Sequence, residues 1–219
     1  MKLNNFDYIE NIDFVHYGPL NDYFVKACRV GDLDEVRRIN SKFKPKLKSN
    51  NKFIRIAQNI LTKIKEDYTY VDVHYYDDRC FRYACDSGNL EIVKYLLTSD
   101  ELIEKCDINS ENDYGLRIAC ENGDLNLAQY LLTSSDLNKH ANIHANNDGV
   151  IKSAYDSGNS ELINFLIFDM NIEKTTEIIK FIEEYAPGLN QLFDKRELHK
   201  YLLTEIVPKK VQKSNKHKL

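Results

Sequence analysis

The strongest constraint in this sequence is that it repeats. Tyr83-Ala84-Cys85-Asp86-Ser87-Gly88-Asn89-Leu90-Glu91-Ile92-Val93-Lys94-Tyr95-Leu96-Leu97 recurs as residues 118–132 and again as 153–167. Gly88, Gly123 and Gly158 stand 35 apart, as do Asp78, Asp113 and Asp148, and Val73, Ile108 and Ile143. A weaker copy, Ala27-Cys28-Arg29-Val30-Gly31-Asp32-Leu33, opens the chain; its Gly31 lies 57 before Gly88, one period plus 22 residues. A fixed period of this size signals stacked units, each one supersecondary element.

Within a unit the pattern predicts two short antiparallel helices. The first spans about 79–86, with Phe81, Ala84 and Cys85 on its apolar face. Gly88 supplies the left-handed conformation that ends it, and Asn89 is placed to cap the next helix. In the second helix Leu90, Val93 and Leu97 share a face, with Ile92 and Leu96 beside them, the spacing of a buried stripe. A short extended stretch follows at Asp72-Val73-His74, Asp107-Ile108-Asn109 and Asn142-Ile143-His144. One such pair cannot bury its own apolar face, whereas a stack can.

The Ala-Cys-x-x-Gly-x-Leu-x-x-Val-x-x-Leu-Leu frame at 84–97, with its close copy at 119–132, resembles the ankyrin repeat. The likeness covers roughly residues 20–40 and 70–170, and it implies an all-α ankyrin-repeat solenoid of helix pairs joined by short hairpin loops. Three departures stand out. The usual Thr-Pro-Leu-His start is replaced by Arg79-Cys80-Phe81-Arg82, Tyr114-Gly115-Leu116-Arg117 and Gly149-Val150-Ile151-Lys152. The hairpin before the first helix is shorter. The stretch after the second helix is longer, so the period is 35 where roughly 33 is usual. The variant frame is similar to ankyrin proteins of large DNA viruses and large phages, which would make the partner a host protein and the location the host cytoplasm.

The sequence divides into an N-terminal segment with the first repeat (1–41), a basic insertion with an amphipathic helix (42–69), three repeats (70–170), a helical cap (171–206) and a basic, disordered tail (207–219). In the cap, helices are expected over 173–184 and 189–203, with Ile178, Ile179, Ile182, Leu189, Leu192, Leu202 and Leu203 closing the stack. The net charge of −4 hides an uneven layout. Residues 42–65 carry +8 and 207–219 carry +5, while 66–206 carry −15. No apolar run is long enough to cross a membrane, and the acid-containing start is unlike a secretory signal.

Chemistry-bearing motifs are missing: no phosphate-binding glycine loop, nucleophile elbow or His-Glu-x-x-His string occurs. Cys28, Cys85 and Cys120 share one repeat position, which reads as a small buried residue; Cys80 and Cys106 complete an odd set of five without zinc spacing. Free thiols imply a reducing compartment. His140 and His144 stand four apart, but His144 repeats His74 and Asn109, so a loop role outweighs metal ligation. A non-enzymatic module with no cofactor and no metal is the expectation.

Recurring acids are the more informative feature. Asp78, Asp113 and Asp148 precede the first helix, where an N-cap is wanted. Asp86, Glu121 and Asp156 end it, where the helix dipole disfavours a negative charge. By the family likeness these three, with Ser87, Asn122 and Ser157, line a concave groove, and Tyr75, Tyr76, Glu111, Asn112, Asn146 and Asn147 occupy the loop tips. Either this is a solvated surface serving solubility, or it is an acidic groove for a protein with a basic surface. The insertion, with Lys42, Lys44, Lys46, Lys48, Lys52 and Arg55, suits phosphates or an acidic partner patch. A nucleic-acid-associated protein and a subunit of a larger assembly are thus the alternatives.

Overall fold

The computed structural model describes residues 18–42 and 71–206. The basic insertion and tail, including Lys44, Lys46, Lys48, Lys52 and Arg55, lie outside the described residues, as does the side chain of Lys42. Helices come in pairs: α1 (Gly18–Val30) with α2 (Leu33–Lys42), α3 (Arg79–Asp86) with α4 (Leu90–Thr98), and α5 (Ser110–Glu121) with α6 (Leu125–Thr133). Then come α7 (Ala145–Asp156) with α8 (Ser160–Asn164), α8 running on as a π-helical stretch over Phe165–Asp169, and α9 (Thr176–Glu184) with α10 (Gly188–Tyr201). No strand occurs among the described residues.

The first four pairs are joined by the same joint. Gly31, Gly88, Gly123 and Gly158 have φ of 82°, 67°, 67° and 71°, as the sequence requires. Asn89 N–H reaches back to Ala84 carbonyl (3.1 Å) and Gly88 N–H to Cys85 carbonyl (3.0 Å), which satisfies the last carbonyls of α3. The residue after the glycine then caps the following helix: Asn89 Oδ1 accepts from Ile92 N–H (3.1 Å), Asp124 Oδ1 from Leu127 N–H (3.0 Å) and Asn159 Oδ1 from Leu162 N–H (3.1 Å). Asn89 and Asn159 also donate to the carbonyls of Gly31 (3.0 Å) and Gly123 (2.8 Å) in the preceding unit. Asp124, a carboxylate, has no hydrogen to donate to Gly88.

First helices stack in order, α1 on α3, α5, α7 and α9, while α2 lies against α4 and α10 against the π-helical stretch. One continuous core results. Leu96, Leu131 and Leu166 are fully buried, as are Ala84, Ala119 and Ala154. Cys28, Cys85 and Cys120 are also fully buried, yet the fourth residue of that row, Tyr155, is exposed. The packing of α5 on α3 is close enough that a Cβ on Gly115 would lie 2.8 Å from the Phe81 ring. In the last pair Ile178, Ile182 and Leu189 are buried and Leu192 half-buried, but Ile179, Leu202 and Leu203 face outward, because no further unit covers them among the described residues.

A single turn of left-handed backbone precedes α3 and opens α5 and α7. Tyr76–Asp78, Glu111–Asp113 and Asn146–Asp148 all have φ between 51° and 59°. This conformation is costly for side chains other than glycine and least so for Asn and Asp, which make up seven of these nine positions.

Candidate functional site

The left-handed turns are held by two recurring side chains. One is a base four residues beyond the turn. Arg82 donates to the carbonyls of Asp77 (3.0 Å) and Tyr76 (2.7 Å), Arg117 to those of Asn112 (3.3 Å) and Glu111 (3.2 Å), and Lys152 to that of Asn147 (3.2 Å). The other is the aspartate that ends each turn. Asp78, Asp113 and Asp148 are buried, and none of them caps its helix through its side chain. The expectation of an N-cap is therefore corrected. Left-handed backbone turns each carboxylate away from its own helix and toward the next unit.

There it accepts hydrogen bonds. Asp78 takes one from Asp107 N–H (3.1 Å), Asp113 one from Asn142 N–H (2.8 Å) and Asp148 one from Thr175 Oγ1 (2.5 Å). The residue four before each aspartate completes the group: His74 Nδ1 at 2.8 Å, Asn109 Nδ2, and His144 Nδ1 at 2.6 Å. Burial raises the Asp78 carboxyl above the usual carboxylate range, opposed by the Asp107 N–H and by His74. His144 thus serves the loop, while His140 Nε2 lies 2.9 Å from the Ser134 carbonyl. Among the described residues no group of three or more His, Cys, Asp or Glu is arranged to hold a metal.

The cysteines are closed off. All five are free and buried, and Cys80 Sγ lies 3.6 Å from Cys106 Sγ. Burial pushes the thiols of Cys28, Cys85 and Cys106 well up and that of Cys120 to about 12. Burial also penalises the Cys80 thiolate, but hydrogen bonds from Cys106 and Cys28 carry it down to about 5. With 1% of its surface exposed, Cys80 has no approach for a substrate.

Eight residues beyond each buried aspartate comes the second acid row. Asp86, Glu121 and Asp156 are exposed, and their carboxylates make no hydrogen bond or ion pair among the described residues. Each lies four residues after Arg82, Arg117 or Lys152 and so shares a helix face with it. A row of bases therefore runs beside the acids on this face, a feature the sequence reading missed although its 35-residue spacing was visible. In α1 the place that Asp86 holds in α3 is taken by a base, Arg29, which lies 5.2 Å from the Tyr83 ring. Tyr114 sits between Arg82 (5.7 Å) and Arg117 (5.5 Å). Burial first, then the Asp86 carboxylate, push the Tyr114 hydroxyl above its ordinary value; Arg82 opposes this and Glu121 adds to it. One ring thus feels both acids.

The remaining expected residues divide. Ser87 and Ser157 turn back to the helix end, donating to Ala84 (3.0 Å) and Ala154 (2.8 Å) carbonyls, and Asn122 donates to the Asp86 carbonyl (3.3 Å). The serines close their own helix ends, and Asn122 ties its helix end to that of the preceding unit. Tyr76, Glu111, Asn112, Asn146 and Asn147 are exposed on the left-handed turns, and Tyr75 is half-buried with its ring edge-on to Tyr76 at 4.4 Å.

Residues 81–178 match the family model for ankyrin repeats (3 copies), just under half of the chain. This stretch is an ankyrin-repeat array. The fold is accordingly an all-α repeat fold, and ankyrin repeats generally mediate protein–protein interaction and are typically non-enzymatic binding modules. Searches of the curated proteins and of the solved structures return no match. Among the described residues no helix of the array or of its flanks is long and apolar enough to cross a membrane.

Proposed function

We propose that this chain is a non-enzymatic binding module whose partner, a protein with a basic surface, docks along the face formed by the first helices of the ankyrin repeats. The contact residues in this reading are Asp86, Glu121 and Asp156, flanked at the turns by Tyr76, Glu111, Asn112, Asn146 and Asn147. Binding of this kind acts by occupancy, blocking or redirecting the partner.

One observation carries the reading. Two charged rows share the face, and only one serves the fold. The heads of Arg82, Arg117 and Lys152 are spent on turn carbonyls. The carboxylates of Asp86, Glu121 and Asp156 hold nothing among the described residues, at a helix end where the dipole opposes them. Unpaired acids along a rigid stack attract a cationic surface and speed its association, an effect that salt weakens.

The test is a charge reversal. Wild type and Asp86→Lys/Glu121→Lys/Asp156→Lys are immobilised side by side, and proteins retained by one and not the other are identified. Affinity for each is then measured at two salt concentrations. The expected result is a partner whose affinity falls at least tenfold with the reversal and falls for wild type as salt rises. Unchanged affinity in the reversed protein overturns the reading.

A further inference from the structure

The exposed member of the otherwise buried cysteine row, Tyr155, marks a second feature of the same face. Tyr155 packs its ring edge against Phe181 of α9 (5.7 Å between centroids, 83°), and Phe181 stacks on Tyr185 (6.1 Å, 28°). Tyr155 is 36% and Tyr185 63% exposed, so the trio presents ring surface to solvent. Phe181 and Tyr185 line an open cleft of about 510 Å³ together with Lys152, Asp156, Glu177, Lys180 and Glu184, and Tyr155 stands beside it against Phe181.

Elsewhere on this face the chain covers its aromatic rings with its own guanidinium groups. Arg79 lies over Tyr76 (4.3 Å), Arg29 over Tyr83 (5.2 Å), and Arg82 and Arg117 flank Tyr114. No cation of the described residues covers Tyr155, Phe181 or Tyr185. The two lysines of the cleft are engaged, Lys152 with the Asn147 carbonyl (3.2 Å) and Lys180 with Glu177 (3.3 Å). The acids left open are Asp156, with no side-chain partner among the described residues, and Glu184. Glu184 has no ion pair among the described residues, and its carboxylate raises the pKa of the neighbouring Tyr185 hydroxyl. Uncovered rings beside open carboxylates form the complement of a guanidinium, which stacks on aromatic faces and bonds carboxylates in its plane.

We propose that the cleft between α7 and α9 seats an arginine side chain of a partner protein, stacked on the Tyr155–Phe181–Tyr185 rings and bonded by Asp156 and Glu184. The proposal rests on the reading of this face as protein-binding and adds to it the anchor at its C-terminal end. A single aromatic-lined pocket of this kind is where binding energy concentrates in an otherwise shallow interface.

The test uses the full chain and a fluorescein-labelled Gly-Ser peptide bearing two arginines, with the citrulline version as neutral control, followed by anisotropy at low salt. The arginine peptide is expected to bind and the citrulline peptide to bind at least tenfold more weakly. Tyr155→Ala/Tyr185→Ala should weaken arginine binding roughly tenfold, the effect of two exposed cation–π contacts. Tyr155→Phe/Tyr185→Phe should restore it, and circular dichroism checks that each variant is folded. Should the alanine pair unfold, Glu184→Gln takes its place, with a several-fold loss expected. Arginine binding that survives these changes but falls with Asp86→Asn/Glu121→Gln overturns the cleft and leaves the acidic row standing. Binding unaffected by either set overturns both.

Discussion

Two rows of acids recur at the same 35-residue spacing, only eight residues apart, and they do opposite things. Asp78, Asp113 and Asp148 are buried and hydrogen-bonded into the next unit. Asp86, Glu121 and Asp156 are exposed and bonded to nothing among the described residues. The backbone makes the difference. Left-handed turns bring the first row inward between units, while the glycine-terminated helix end leaves the second row in solvent. Recurrence thus says only that a position is equivalent in every repeat. Whether it serves the stack or a partner depends on what the side chain touches.

Four variants break or sharpen this contrast. The core sets the scale: Leu131→Ala, in the middle of the stack and fully buried, should cost about 2–5 kcal/mol, measured by denaturant unfolding. Asp113→Ala should cost about 1–3 kcal/mol, because it removes a buried carboxylate that accepts from the Asn142 N–H and from Asn109. A cost no larger than that of an ordinary surface change would return Asp113 to the same class as Glu121.

A gain is expected at Asp124→Asn, roughly 0.5–1.5 kcal/mol for one added hydrogen bond. An asparagine keeps the cap on Leu127 and donates to the Gly88 carbonyl, as Asn89 and Asn159 do to Gly31 and Gly123. An unchanged melting temperature would show that this inter-unit bond adds nothing to stability. The smallest effect belongs to the exposed row. Reversing Asp86, Glu121 and Asp156 to Lys should leave stability within about 0.5 kcal/mol per site or raise it, since cations suit a helix C-terminus. A loss comparable to Asp113→Ala would mean that this row, too, holds the stack.

The repeat fold was legible because it is written in local rules. Glycine needs no neighbour to adopt positive φ, asparagine caps the helix that it precedes, and an apolar stripe at helical spacing has one face to bury. Leu96, Leu131 and Leu166 followed directly. The turns were less legible. Asn146, Asn147 and Asp148 suit left-handed backbone, but Tyr76 and Glu111 do not advertise it; what makes it tenable there is Arg82 or Arg117 reaching back five or six residues to the carbonyls.

The amino-acid sequence by itself determined the period, the joints, the buried stripe and the existence of two acid rows. Those depend on contacts within a unit, where separation along the chain fixes separation in space. Tertiary structure alone decided which acid row was buried, that a row of bases runs beside the exposed one, and that Tyr155 leaves the core to meet Phe181 and Tyr185. Each of these depends on how one unit is set against the next. Equivalent residues acquire different neighbours only when the stack is built, and beside the terminal helix pair the neighbour changes, so the same position that buries Cys85 and Cys120 leaves Tyr155 at the surface against Phe181.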